Sequence, residues 1–128
     1  MSDNLRTPLS KAKGLGSAND GVEHFWVQRL TALALIPITL WFCFSVASLP
    51  NADYAAVAAW LSSPFNAAMM IITVIISFHH AQLGLQVIIE DYVSCHAKRT
   101  AAIIAVKFGC FLFGVIGVVS VLKVAIGA

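Results

Sequence analysis

Two adjacent histidines, His79 and His80, lie in a stretch with no formal charge from Ser62 to Ile89. Imidazole is costly to hold in hydrocarbon, and an intramembrane ionisable residue as a rule faces a bundle interior, a cavity or a bound group. Three chemistries suit it: a neutral hydrogen bond to a neighbouring helix, a proton relay, or ligation of a metal or haem iron. Helical phase separates the two residues. At about 100° per residue, Thr73, Ser77, His80, Gly84, Val87 and Asp91 share one small, polar stripe. A flat macrocycle ligated at His80 would need the side chain that is missing at Gly84. His79 shares its face with Ile76, Leu83, Gln86 and Glu90, and no small residue adjoins it. Phase favours His80 as the ligand, with packing and proton transfer as the alternatives.

These histidines need long helices to hold them, and the composition supplies those. The chain has 128 residues, 59% hydrophobic and 11% charged, and a mean hydropathy of +0.86. Soluble domains are about 45–50% apolar and about 25% charged, so the expected class is an all-α integral membrane protein. A net charge of +2 with scattered basic residues does not suit nucleic acid. Cys43, Cys95 and Cys110 are odd in number and lack CxxC spacing, which argues against a disulfide framework or a zinc site. They are expected to be small buried packing residues.

Residues 1–19 read as a polar tail and residues 20–128 as a membrane anchor domain with three spans, at about 25–49, 64–92 and 98–126. Residues 1–24 are polar, without the apolar core of a secretory signal or a convincing presequence, so the first span is expected to direct insertion. Asp20, followed three residues later by Glu23, predicts a helix N-cap. Leu30 to Leu49 is uncharged, with a kink expected at Pro37. The connector 50–62 is expected to form an interfacial turn anchored by Tyr54 and Trp60. Ser63-Pro64 predicts the next helix start. From Pro64 to Ile89 that helix would be near 39 Å long at about 1.5 Å per residue.

Glu90 to Thr100 reads as the second connector, and Lys107 is placed to snorkel from the third span. Gly109, Gly114, Gly117 and Ser120 give that span small faces, for a subunit contact or for packing within the bundle. Arg6, Lys11, Lys13 and Arg29 flank the first span and Lys98 and Arg99 lie in the second connector, while the first connector has neither Lys nor Arg. The positive-inside rule then predicts a cytoplasmic N-terminus.

The segment "HAQLGLQVIIEDYV" resembles the H-A-x-x-G-x6-D-Y signature of the succinate dehydrogenase hydrophobic membrane anchor subunits, the smaller anchor chains of respiratory complex II. "GVEHFWVQRLTA", residues 21–32, resembles the start of that family's first span, and the three-span layout and length agree. The resemblance implies a bacterial inner-membrane protein that packs against a second three-helix anchor chain, the cytochrome b subunit. It implies His80 as one axial ligand of haem b, beside Gly84, with the other ligand from the partner anchor chain. Arg29 would serve the haem propionates and the quinone pocket, and His24 the propionates, although Glu23 precedes His24 where some relatives place the histidine first. Tyr92 would hydrogen-bond a carbonyl of ubiquinone, and Asp91 would orient that site or supply protons.

The same resemblance implies a flavoprotein subunit that oxidises succinate and an iron–sulfur subunit that passes on the electrons. This chain has no flavin fingerprint and no cysteine pattern for a cluster, so it is expected to catalyse nothing alone. Its surroundings would be those partners and membrane lipid. Two other readings stand beside this one: a small proton-coupled transporter, and the haem b anchor of a fumarate reductase. The transporter would more often show an acid deep in a span, or inverted repeats.

Overall fold

The computed structural model describes residues 7–9, 17–50 and 53–127, with the backbone alone for 17–20. Most of the predicted tail lies outside the described residues. Four helices follow: α1 (Ser17–Ala47), α2 (Tyr54–Leu61), α3 (Pro64–Tyr92) and α4 (His96–Ile126). Three of them contain apolar stretches long enough to cross a membrane, Gly21–Ala47, Pro64–Tyr92 and His96–Ile126. In hydrocarbon only a helix or a closed barrel satisfies every backbone group internally, so runs of this composition become helices.

The helix ends obey local chemistry, with three departures from expectation. α1 extends to Ser17, so Asp20 lies inside the helix and not at its boundary. The helix continues through Pro37, which has no N–H for the Leu33 carbonyl. It ends in a turn in which Ser48 N donates to Phe44 O (3.0 Å) and Leu49 N to Val46 O (3.2 Å). Asp53 caps α2 by accepting from Ala56 N at 2.8 Å. Ser63 occupies the N-cap of α3 with proline after it, yet its hydroxyl makes no capping bond.

The second connector is shorter than expected, because α4 starts at His96, ahead of the expected third span at about 98. Arg99 is drawn back onto it, and its Nε donates to the Val93 carbonyl at 2.8 Å. Gly127 ends α4 in the left-handed region, φ 78°, where a glycine carries no Cβ penalty.

α3 is the middle of the structure. It packs on α1 and on α4, whereas α1 and α4 do not meet among the described residues. Both neighbours run antiparallel to it. Gly117 lies against Val74 and Gly114 against Phe78, while Thr31 meets His80 and Trp41 meets Phe65. A Cβ on Gly117 would come within 2.8 Å of Val74 Cγ1, so that glycine is what lets α4 approach. Gly114 gives ordinary contact, and a Cβ on Gly109 would meet nothing within 4 Å. Two of the small residues of α4 therefore serve packing within the bundle.

Trp60 stacks on Trp41 with centroids 5.6 Å apart, and Asn66 Nδ2 donates to its carbonyl at 2.9 Å. It therefore ties α2 to the bundle, while Tyr54 stays exposed.

A row of three helices has little interior. The buried hydrophobic residues are Ile38, Leu61, Leu83 and Val121. The cysteines correct the expectation of burial: Cys43 and Cys95 are exposed and Cys110 is half-buried, because a row leaves each helix an outer face.

Two outcomes follow from this packing. Gly117→Ala should lower the stability of the purified protein by about 1–3 kcal/mol through overpacking, whereas Gly109→Ala should be neutral or raise it by up to about 1 kcal/mol; thermal unfolding in detergent reads both. Alkaline phosphatase fused after Ala128 should be active, and fused after Ser94 inactive, because the positive-inside rule predicts that only the first lies outside the cytoplasm.

Candidate functional site

The polar residues of the spans sort by which helix face carries them. On α3, His80 is half-buried and turned to α1, where its Nδ1 lies 2.9 Å from Thr31 Oγ1. Among the described residues its Nε2 has no hydrogen-bond partner, and it is not enclosed. Gly84 follows one turn on, about 40° around the helix, and a Cβ there would meet nothing within 4 Å. Glycine within a helix costs about 1 kcal/mol relative to alanine. No packing inside this chain requires it at position 84.

His79, one residue away, is exposed and lines a groove of about 370 Å³ between α3 and α4 with Gln82, Phe78, Cys110 and Phe111. The two histidines thus face different neighbours, as their phase predicts.

The Thr31–His80 contact sets the level of α1 against α3. From it, Arg29 lies about 3 Å and His24 about 10 Å toward the start of α1. Asp91 and Tyr92 lie about 16–18 Å further along α3, in the same direction. Tyr92 is 84% exposed and Asp91 is exposed, and among the described residues neither side chain has a hydrogen-bond partner. The nearest polar pair on this end of α3 is Gln86 Nε2 donating to Glu90 Oε1 at 2.8 Å.

His24 and Thr31 are seven residues apart and share a face of α1. His24 Nε2 is enclosed without a hydrogen-bond partner. An unsatisfied buried donor or acceptor costs about 1–3 kcal/mol, so its enclosure is an energetic cost to this structure.

Arg29 falls about 160° around α1 from Thr31. It is exposed, and its guanidinium sits over the Phe25 ring at 5.2 Å. Within this chain, then, the six sequence-predicted positions do not converge. His80 and Gly84 form one centre on α3, His24 lies above it on α1, Asp91 and Tyr92 stand at the end of α3, and Arg29 turns away.

Thr31 is the residue that sequence reasoning missed. It is in the quoted "GVEHFWVQRLTA" block, but only the antiparallel register brings it to His80. A hydroxyl in an uncharged span was the available signal.

The donor chemistry can be tested against a macrocycle. Among the described residues no three His, Cys, Asp or Glu side chains converge. A lone imidazole suits a porphyrin, which brings four nitrogens of its own, and the space at Gly84 accepts a flat edge. The residues present fit haem.

Fold and site define a three-span helical protein with few polar groups in its spans. The chain matches the family described as "Succinate dehydrogenase/Fumarate reductase transmembrane subunit" over residues 3–116. It is 39% identical to the "Succinate dehydrogenase hydrophobic membrane anchor subunit" of Rickettsia bellii over 120 residues, covering 94% of this chain and 93% of that one. Identity to the protein of the same description from Rickettsia conorii is 38%, covering 84% and 86%. For that of Paracoccus denitrificans it is 33%, covering 80% of each. No solved structure matches. The chain belongs to the succinate dehydrogenase/fumarate reductase transmembrane subunit family, among the succinate dehydrogenase hydrophobic membrane anchor subunits. Its three apolar helices accord with a multi-pass protein of the bacterial inner membrane.

Proposed function

We propose that this chain is the smaller anchor of a succinate:ubiquinone oxidoreductase, contributing one ligand of haem b and one wall of the ubiquinone site. The observation that carries this is His80, half-buried at the α1–α3 contact, with an unpartnered Nε2 and the open position of Gly84 beside it. Bound there, haem b supplies a one-electron redox centre inside the membrane. His80 would hold the iron together with a histidine of the cytochrome b subunit. His24, on the same face of α1 as Thr31 and about 10 Å toward the start of the helix, would serve a propionate, as the resemblance implies. Arg29 offsets propionate charge from an exposed position where it remains hydrated, and it reaches the quinone pocket only once the partner chain has closed the other side.

Tyr92 donates a hydrogen bond to a carbonyl of ubiquinone without adding charge. Asp91, its neighbour on the His80 stripe, orients that site or passes protons to it. Both stand at the cytoplasmic end of α3, where the iron–sulfur subunit, carrying the flavoprotein subunit, docks. Lipid covers the remaining apolar faces. The family description spans succinate dehydrogenases and fumarate reductases, and the names of the matched relatives favour the first. A proton-coupled transporter is disfavoured by the uncharged run from Ser62 to Ile89.

In the purified complex, His80→Ala should abolish or alter the reduced b-type haem spectrum while His79→Ala preserves it; the opposite pattern would overturn the assignment. Tyr92→Phe should lower quinone reduction about tenfold or more, the size expected for one lost hydrogen bond to the reacting group. Succinate oxidation by an artificial soluble acceptor should continue, and equal loss of both would point to failed assembly.

A further inference from the structure

The Thr31–His80 contact does more than join two helices. Thr31 Oγ1 lies 2.9 Å from Val27 O, 3.0 Å from Gln28 O and 2.9 Å from His80 Nδ1. A hydroxyl has one proton and two lone pairs. The two carbonyls can only accept, so the arrangement that leaves no pair of lone pairs face to face sends the hydroxyl proton back to the helix. The oxygen then accepts from His80, whose Nδ1 must carry the hydrogen. A neutral imidazole protonated at Nδ1 presents its lone pair at Nε2, the nitrogen that has no partner among the described residues.

From this we infer that Thr31 is a positioning residue for the haem ligand. Its hydroxyl holds His80 in the Nδ1–H tautomer, turns Nε2 toward the iron and raises the basicity of the ligating nitrogen. The inference rests on the reading of His80 as an axial ligand. A ligating histidine generally donates its second N–H to an oxygen of the protein, and that partner fixes ring orientation and donor strength. Here the oxygen is itself locked: a β-branched residue in a helix has few rotamers, and the back-bond to Val27 and Gln28 selects one. α1 therefore acts on the ligating ring through the hydroxyl of Thr31, although it carries no ligand.

Three variants of the complete complex test it, read by redox titration of the haem and by its low-temperature electron paramagnetic resonance spectrum. Thr31→Val keeps the shape and removes the oxygen. It should retain haem with a raised midpoint potential, since a less basic imidazole favours ferric iron less; a tenfold change in ferric-over-ferrous preference corresponds to about 59 mV. The resonance spectrum should broaden as the ring loses its orientation. Thr31→Ser, which restores the oxygen, should return both signals to the wild-type values. Loss of haem in Thr31→Val with rescue by Thr31→Ser would support the same role, whereas equal loss in both would overturn it. An unchanged potential and spectrum in Thr31→Val, with the haem spectrum lost in His80→Ala, would overturn the role of Thr31 and leave the ligand assignment standing. Haem that persists unaltered in His80→Ala would remove both.

Discussion

A backbone amide in hydrocarbon has no water to bond, and this requirement shapes the whole chain. Three long helices satisfy it along their length, and the remaining freedom is how they lie side by side. α3 takes the centre because it alone packs against both other spans. Its contact with α4 depends on the close approach at Gly117 and Val74, and its contact with α1 on two tethers, Thr31 to His80 and Trp41 to Phe65. Between lipid-immersed helices there is little hydrophobic gain, so van der Waals fit and a few hydrogen bonds decide the register. That register determines which polar groups meet.

Polar side chains within the spans fall into two sets. Thr73 bonds back to Met69 O at 2.7 Å and Ser120 to Ile116 O at 2.7 Å, which silences both within their own helices. His24 Nε2, His80 Nε2 and the exposed His79 are not silenced in this way. An unsatisfied imidazole nitrogen is expensive in a membrane, so these atoms mark where something beyond this chain belongs. Together with the scarcity of buried residues, they describe one part of a larger assembly. A second helical chain, a macrocycle and a quinone headgroup are the proposed complements.

Much of the architecture was legible residue by residue. Pro64 to Tyr92 coincides with its expected span, since proline after serine and a charged, polar exit are strong local signals. Helix phase divided His79 from His80, because a rotation of about 100° per residue holds wherever the helix is regular. Less legible were the ends governed by longer-range contacts. The second connector is three residues, 93–95, and Arg99 bonds across it to the Val93 carbonyl; read as a sequence, its charge simply suggests a loop. The cysteines were misjudged because burial depends on how many neighbours a helix has, and composition does not count them.

From the sequence alone follow the number of spans and the identity of the residues with chemistry to offer. These depend on hydropathy and helical period, both of which are local properties of the chain. The tertiary structure alone decided that α3 is central, that Gly117 and not Gly109 permits close packing, and that Arg29 faces away from His80. It also brought Thr31 to His80 across 49 positions of sequence. No local rule could supply that pairing, because the level at which two antiparallel helices meet is set by the fit of their side chains over the whole contact.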